Sequence, residues 1–311
     1  LFIFILPIAL TMLIIGMRRM RNVGKTTKAP IDVISVILSA FGFGGVVFGL
    51  SSLGESGGEG SVTMLVVPLV VGAIALALFI WRQLFLQRAD RALLDLRTFK
   101  TPTFTLSVAM FAICMMSMFG AFILLPLYMQ NVLDLSVLSS GLLLLPGGLI
   151  MGLFAPLVGR LYDKVGPRPL LLTGTTLTAG GLWFLAFALN AQSSWVTLLI
   201  GHMIFSTGLA FIFTPLFTSS LGSLPKHLYS HGSAIVSTMQ QVAAAAGTAL
   251  FVSIMSGVLA SGVSRGASLL EGYAEGIHVA FMLSATTASL AIITAFFIKK
   301  AKATAGAPPA H

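Results

Sequence analysis

The sequence predicts an all-α integral membrane protein with nine transmembrane helices. Of its 311 residues, 57% are hydrophobic and 9% are charged, whereas about 25% of the residues in an ordinary soluble domain are charged. The apolar residues form nine runs that reach or nearly reach the roughly 20 residues needed to cross a bilayer. No run shows the period of two that is typical of a barrel strand. We therefore expect lipid to surround this protein.

The nine apolar runs define the predicted spans. They cover residues 1–17, 31–54, 63–81, 104–128, 137–158, 170–190, 196–218, 232–258 and 277–298. Backbone groups in hydrocarbon have to bond within their own segment, so each run is predicted to be a helix. The first run opens at Leu1 without a methionine or a basic leader. We therefore expect an upstream part of the protein to precede it.

Basic residues collect in every second loop. All but one of the 18 Lys and Arg residues lie in one set of alternate loops, and Arg265 alone lies in the other set. Because cytoplasmic loops accumulate positive charge, this pattern predicts a multi-pass protein of the cytoplasmic (plasma) membrane with its C-terminus in the cytoplasm. The net charge of +9 is thus spread over short loops, which argues against nucleic acid as a partner.

The segment between the fifth and sixth spans carries a specific motif. It reads Gly159-Arg160-Leu161-Tyr162-Asp163-Lys164-Val165-Gly166-Pro167-Arg168. We interpret it as a tight turn with glycines at its ends. Through Gly159, Asp163, Gly166 and Arg168 it resembles the Gly-x-Leu-x-Asp-x-x-Gly-x-Arg signature of the major facilitator superfamily. The resemblance implies a latch in which Asp163 meets a helix N-terminus and nearby arginines. The alternative is an ordinary basic loop with a solvated Asp163.

The position of this motif extends the resemblance to the 14-spanner drug:proton antiporters of that superfamily. There the signature follows the second helix of each six-helix half, which implies four segments in this chain. Residues 1–17 would be the last helix of a truncated N-terminal half, and 18–102 two extra linker helices with a cytoplasmic link. Residues 103–300 would form the complete six-helix C-terminal half, and 301–311 a disordered tail.

The same resemblance implies the activity. The chain is expected to belong to a secondary transporter that exports small amphipathic compounds by proton antiport with alternating access, without a cofactor. Its partners would be the substrate, protons, membrane lipids and the missing N-terminal half. No Asp or Glu lies in the middle of a predicted span, so we expect the coupling carboxylates in that half. A lipid or metabolite exporter of the same fold, and a non-transporting truncated or scaffold membrane protein, remain alternatives.

Candidate site residues come from the spans that would face the cavity. The resemblance points to spans four, five, seven and eight, where polar, methionine and aromatic side chains are candidates for the substrate cavity. Helix packing or lipid contact is the more common role of a single Met or Phe. The alternatives are a neutral His202 bonded to a backbone carbonyl or to water, and glutamines that bond between helices. These candidates are Met110, Phe111, Met115, Met118, Phe119, His202, Phe205, Gln240 and Gln241. Hinge candidates are Pro146, Gly147 and Pro215.

Enzymatic and metal chemistry are not predicted. The chain has no phosphate-binding loop of the Gly-x-x-x-x-Gly-Lys-Ser type, so a fused ATP-driven pump is unsupported. His227 and His231 are four residues apart but have no third ligand nearby in the sequence, so we predict no metal site. Both histidines are expected in a cytoplasmic loop.

Overall fold

A computed structural model of the chain describes residues 2–19, 32–55, 62–89, 91–190 and 192–298. These residues form nine α-helices and, apart from three short 3-10 turns, no other regular element. The helices are α1 (Phe2–Arg19), α2 (Val33–Glu55), α3 (Val62–Leu86), α4 (Pro102–Asn131), α5 (Val137–Val165), α6 (Pro167–Ala188), α7 (Trp195–Gly222), α8 (Tyr229–Ser264) and α9 (Leu269–Phe297). The predicted all-helical fold is confirmed.

Eight of these helices, α2 to α9, are long and apolar enough to cross a membrane within the described part of the chain. Several extend beyond the predicted apolar runs. The clearest case is α9, which begins at Leu269 and not near residue 277. Its first turn is held by a capping box in which the Ser268 hydroxyl accepts from Glu271 N–H and the Glu271 carboxylate accepts from Ser268 N–H. Such a cap lets a helix begin in polar sequence.

Helices α4 to α9 pack into one bundle, and its identity as the C-terminal half of a transporter stays a prediction. Its core lies mainly on α4, α6, α7, α8 and α9, and contains fully buried aromatic rings such as Phe111 and Phe251. Small residues allow the closest contacts. A Cβ on Gly208 of α7 would collide with the backbone of α6 at Thr178, and a Cβ on Gly247 of α8 would collide with the backbone of Met116. Such contacts are typical of membrane helix pairs.

The signature segment differs from the prediction of a tight turn. Helix α5 continues through Val165, and the turn consists of Gly166 alone, with φ of 79°. Only glycine adopts this backbone without strain, and Pro167 then starts α6 as its first residue, a position where proline is favoured. At Gly159 the helices leave space, because a Cβ there would meet only Thr214 Cγ2, at 4.0 Å.

Helices α2 and α3 pair with each other, and α2 also packs against α8. The Asp32 carboxylate accepts two bonds from Arg82, at 2.6 and 2.7 Å. One residue further along α3, Gln83 Nε2 donates to Ser35 Oγ over 2.7 Å, and its Oε1 accepts from Leu94 N–H at 3.0 Å. These bonds tie the two helices to the segment between α3 and α4, which we call the link (residues 91–101).

The link is joined to α8 by a further bond. The backbone N–H of Asp95 donates to Nδ1 of His231 over 3.2 Å. His231 lies in the first turn of α8 and not in a loop, because that helix begins at Tyr229, earlier than its apolar run indicates. Two consecutive amides of the link, those of Leu94 and Asp95, therefore bond to α3 and to α8.

Candidate functional site

A cavity of about 260 Å³ lies among α4, α5 and α7, three of the four helices predicted to face the substrate. We call it the His202 cavity. Its walls are formed by Phe122, Leu144, Gly148, Met151, His202 and Ser206. Apolar groups make up most of this wall, and the two polar side chains both come from α7. They are four residues apart and therefore lie on the same face of that helix.

His202 is held in one orientation by a single hydrogen bond. The side chain is buried, with 2% of its surface exposed, and its Nε2 lies 3.2 Å from the carbonyl oxygen of Leu144 on α5. Because a carbonyl can only accept, this contact assigns the hydrogen to Nε2 and leaves a lone pair on Nδ1. Within the described chain, Nδ1 has no partner, and neither has the buried hydroxyl of Ser206. Buried polar atoms normally have one.

Gly147 determines how closely α5 approaches these two side chains. A Cβ at this position would collide with His202 Nε2 and would lie 2.5 Å from Ser206 Oγ. The neighbouring Pro146 lies inside α5, where it lacks the N–H that a regular helix needs. The predicted hinge pair Pro146 and Gly147 is thus adjacent to the His202 cavity. Its role as a hinge stays a prediction, as does that of Pro215, whose carbonyl accepts from Ser219 Oγ over 2.6 Å.

Two aromatic candidates support the cavity wall without lining it. The ring of Phe122 packs edge-on against Phe205, with centroids 6.2 Å apart, and against Phe119 at 6.3 Å. Phe205 is fully buried. Edge-to-face pairs of this kind hold a ring in place. We conclude that Phe119 and Phe205 position Phe122.

The remaining cavity candidates lie elsewhere in the bundle. Four side chains of α4 are packed in its core with at most 6% of their surface exposed, and the two α8 glutamines lie on that helix outside the His202 cavity. They are Met110, Phe111, Met115, Met118, Gln240 and Gln241. Their contact with a substrate stays a prediction.

Sequence reasoning missed five of the six wall residues. Ser206 could have been found, because it lies one helical turn from His202 in an otherwise apolar run. Phe122, Leu144, Gly148 and Met151 gave no comparable signal, since apolar residues and glycines occur on every face of these helices.

The signature residues have the following surroundings. Asp163 is exposed and forms no ion pair with any described residue. The Arg168 guanidinium lies over the ring of Phe296 on α9, 5.8 Å from its centroid, a favourable cation–π distance. Tyr162 and Ser219 hydroxyls lie 3.4 Å apart between α5 and α7. The latch function of Gly159, Asp163, Gly166 and Arg168 stays a prediction.

Two carboxylates next to the spans have perturbed acidity. The hydrogen bonds from Arg82, and then that from Ser35, hold the pKa of Asp32 well below its ordinary value. Burial acts to raise the pKa of Asp95, but the hydrogen bonds and charge of Arg97 together outweigh it, so this pKa is also lowered. Both groups are therefore charged at neutral pH. No cluster of three metal-ligating side chains occurs among the residues that the structure describes.

Comparison with known proteins identifies the class. Residues 1–248 match the family model of the Major Facilitator Superfamily, and the chain therefore belongs to this superfamily of membrane transporters, which is not a class of enzymes. A bacterial homolog of the human lysosomal transporter Spinster has the same fold, with a TM-score of 0.54 and 17% identity over 84% of this chain and 66% of that one.

Closer relatives are resistance proteins. The chain is 42% identical to the lincomycin resistance protein LmrB of Listeria monocytogenes, over 96% of this chain and 63% of the relative. It is 39% identical to the protein of the same name from Bacillus subtilis, over 96% of this chain and 62% of the relative. A multidrug resistance protein B homolog of Mycobacterium tuberculosis is 29% identical over 80% of the chain. The chain thus spans less than two thirds of its first relatives' length.

Proposed function

We propose that the protein containing this chain exports small amphipathic compounds across the cytoplasmic membrane in exchange for protons. The observation that carries the proposal is the His202 cavity, whose otherwise apolar wall includes His202 and Ser206, two side chains that each hold a buried polar atom without a partner among the described residues. The membership in a transporter superfamily and the similarity to lincomycin and multidrug resistance proteins support an exporter of drugs.

The cavity has the chemistry of a drug site. Its apolar wall receives the body of an amphipathic compound, while His202 Nδ1 can accept one hydrogen bond and the Ser206 hydroxyl can donate or accept another. A few such groups in an apolar pocket fix the orientation of a ligand. A neutral His202 together with the Ser206 hydroxyl would favour a substrate part that carries a hydroxyl or amine on an apolar frame.

The size of the cavity indicates that it is part of a larger site. Its volume of about 260 Å³ lies below the roughly 300–1,000 Å³ of typical ligand pockets. We propose that α4 to α9 form the C-terminal half of the transporter, that residues outside this chain complete the site, and that the two halves rock around it. Pro146 and Gly147 would let α5 bend beside His202 during that motion.

The residues that we propose for proton coupling lie outside this chain. The described carboxylates lie at helix ends or in connecting segments, and none lies in the middle of α2 to α9. The exchanged proton would therefore be carried by acidic residues outside this chain, as the resemblance to the drug:proton antiporters implies. The predicted topology, with the C-terminus and the signature segment in the cytoplasm, belongs to the same proposal.

The test is export from everted vesicles that contain the protein expressed from its full reading frame. Lincomycin and a lipophilic fluorescent dye are the substrates, and an uncoupler removes the proton gradient. We expect His202→Leu to lower lincomycin export by roughly 10- to 100-fold, because an unmet hydrogen bond in a binding site strongly reduces recognition. His202→Gln, which keeps an acceptor, should retain more activity. The dye should be affected less.

The matched control is His278→Gln. His278 lies on α9, and its Nδ1 is 2.6 Å from the carbonyl oxygen of Ala186, outside the cavity. Export that is insensitive to the uncoupler would contradict proton antiport. Equal losses in His202→Leu and His278→Gln would contradict the assignment of the His202 cavity. Failure of the unsubstituted protein to move either compound would favour a lipid or metabolite exporter.

The latch proposed for the signature segment is tested in the same vesicles. We expect Asp163→Asn to reduce export while the protein remains folded, because Asp163 is exposed and its charge would act only in a rearranged state. Asp134→Asn is the control, since Asp134 is exposed and has a φ of 52° that asparagine also tolerates. Unchanged export in Asp163→Asn would contradict the latch.

A further inference from the structure

A second cavity, of about 270 Å³, lies where α2, α3, the link and α8 meet. We call it the link cavity. Its wall exposes only apolar atoms. Its lining includes Phe79 and Ile80 of α3, Leu96 and Phe99 of the link, and Ile235 and Val242 of α8. It shares no residue with the His202 cavity.

The α8 wall of this cavity is long enough to contact several carbons of an alkyl chain. Its α8 wall extends from Ile235 to Val242, which is roughly 10 Å along the helix at 1.5 Å per residue. Ile80 and Phe99 remain 46% and 39% exposed, so the cavity is accessible from the surface that would face the bilayer. An occupant can form no hydrogen bond with such a wall, and it gains only from the removal of apolar surface from water or from looser packing.

Positive charge lies along the link that forms one wall. Arg91 and Lys100 are both exposed, and Asp95, the acidic residue between them, already forms an ion pair of 2.6 Å with Arg97. The link therefore carries exposed basic residues in the same segment whose Leu94, Leu96 and Phe99 line the apolar cavity. This combination matches an amphiphile with an anionic head group, and anionic lipids are attracted to basic segments beside membrane helices.

We propose that the link cavity binds one acyl chain of an anionic phospholipid, with its phosphate near Arg91 and Lys100. The occupant would fill the space between the α2–α3 pair and α8, and would thereby add apolar contacts between the linker helices and the bundle. Since the link is predicted to be cytoplasmic, the lipid would come from the cytoplasmic leaflet. The site is separate from substrate export and can be tested without it.

The experiment uses a phosphatidylglycerol that carries a diazirine in one acyl chain. The full chain is reconstituted with this probe, illuminated and digested, and the labelled peptides are identified by mass spectrometry. We expect labelling to concentrate in residues 76–80, 94–99 and 235–242. Val242→Phe should lower this labelling roughly tenfold, because small changes in the size of an apolar pocket alter occupancy by about that factor.

Two controls make the result specific. Leu250→Phe places the same ring on an exposed position of α8, and it should leave the labelling unchanged. A phosphatidylethanolamine probe with the same diazirine chain should label the three segments less, and Arg91→Gln with Lys100→Gln should remove the difference between the two lipids. Unchanged labelling in Val242→Phe would overturn the site, and equal labelling by both probes would overturn the anionic lipid. Competition by an exported drug would overturn the lipid assignment.

Discussion

The His202 cavity and the link cavity have nearly the same volume, about 260 and 270 Å³, but opposite chemistry. The wall of the first includes His202 and Ser206, whose Nδ1 and Oγ have no partner among the described residues, and the wall of the second exposes no polar atom. An unsatisfied buried polar group costs roughly 1–3 kcal/mol. The comparison teaches that unsatisfied polar atoms, and not volume, separate the cavity that we propose for a polar ligand from the one that we propose for an acyl chain.

The polar groups beside the two cavities also differ in how completely they are hydrogen-bonded. Beside the link cavity, the polar groups of Ser35, Gln83 and the Leu94 amide are bonded to one another. Beside the His202 cavity, one bond of 3.2 Å connects α7 with α5. A fully bonded network holds its elements in place, whereas α5 and α7 share few polar contacts, the His202 bond and the Tyr162–Ser219 contact of 3.4 Å. We therefore expect the first region to be the more rigid of the two.

The strongest way to break this comparison is to fill the His202 cavity from α5. Gly147→Val would force a side chain against His202 and Ser206, and overpacking of this kind costs roughly 1–3 kcal/mol. We expect a lower midpoint of thermal unfolding in detergent and loss of export. Gly152→Val is the control, because a Cβ at Gly152 meets no atom within 4 Å. Equal destabilisation by both variants would show that valine in α5, and not the collision, is the cause.

A second prediction separates function from stability. Ser206→Ala removes a buried hydroxyl that has no partner among the described residues. We therefore expect unchanged or slightly higher thermal stability, together with roughly tenfold weaker export of hydroxyl-bearing substrates. Ser284→Ala is the matched variant, because the Ser284 hydroxyl is buried and donates to the Ser117 carbonyl over 3.2 Å. The free energy of unfolding of Ser284→Ala should be lower by about 1 kcal/mol. A Ser206→Ala protein that is less stable than the Ser284→Ala protein would contradict the contrast between the cavities.

The helices could be predicted from hydropathy because bonding within the segment is the only solution in lipid. Their surroundings could not. The most apolar 18-residue stretches of α4 and α5 have similar mean hydropathies, 2.4 and 2.1. However, 61% of that stretch is buried in α4 and only 11% in α5. Lipid and a protein core are equally apolar, so hydropathy does not separate them. The start of α9 was predictable, since Ser268 and Glu271 have the spacing of a capping box.

The candidate site could be predicted only where a polar side chain lies in an apolar span, because burying such a group in a membrane costs free energy. His202 was found because a histidine in an apolar span needs a reason. Met110 and Phe111 could not be assigned, because packing and substrate contact require the same apolar side chains at the same spacing. Two features depend on the distance between α5 and α7: the collision that a Cβ at Gly147 would cause, and the lack of a described partner for His202 Nδ1. A local sequence pattern does not predict this distance.

A third, smaller effect concerns the ion pair near the link cavity. Asp32→Asn removes the charge that Arg82 binds. We expect the midpoint of thermal unfolding to fall, but by less than in Gly147→Val, because water reaches this ion pair. The Arg82 and Ser35 bonds lower the pKa of Asp32, so its contribution is complete above the ordinary pKa near 3.8 and is lost as the pH falls further. The difference between the two proteins should stay constant from about pH 5 to 8. A difference that changes within that range would contradict this ion pair as its source.

The smallest expected effect is that of Thr238→Val in the link cavity. Thr238 contributes to a wall that exposes only apolar atoms, so replacing its hydroxyl by a methyl group of similar size should change the unfolding free energy by less than about 0.5 kcal/mol. Labelling by the phosphatidylglycerol probe should persist. A clear loss of stability would show that the hydroxyl binds a polar group or a water molecule in this cavity. The chemical contrast between the two cavities would then disappear, and the acyl chain would lose its main support.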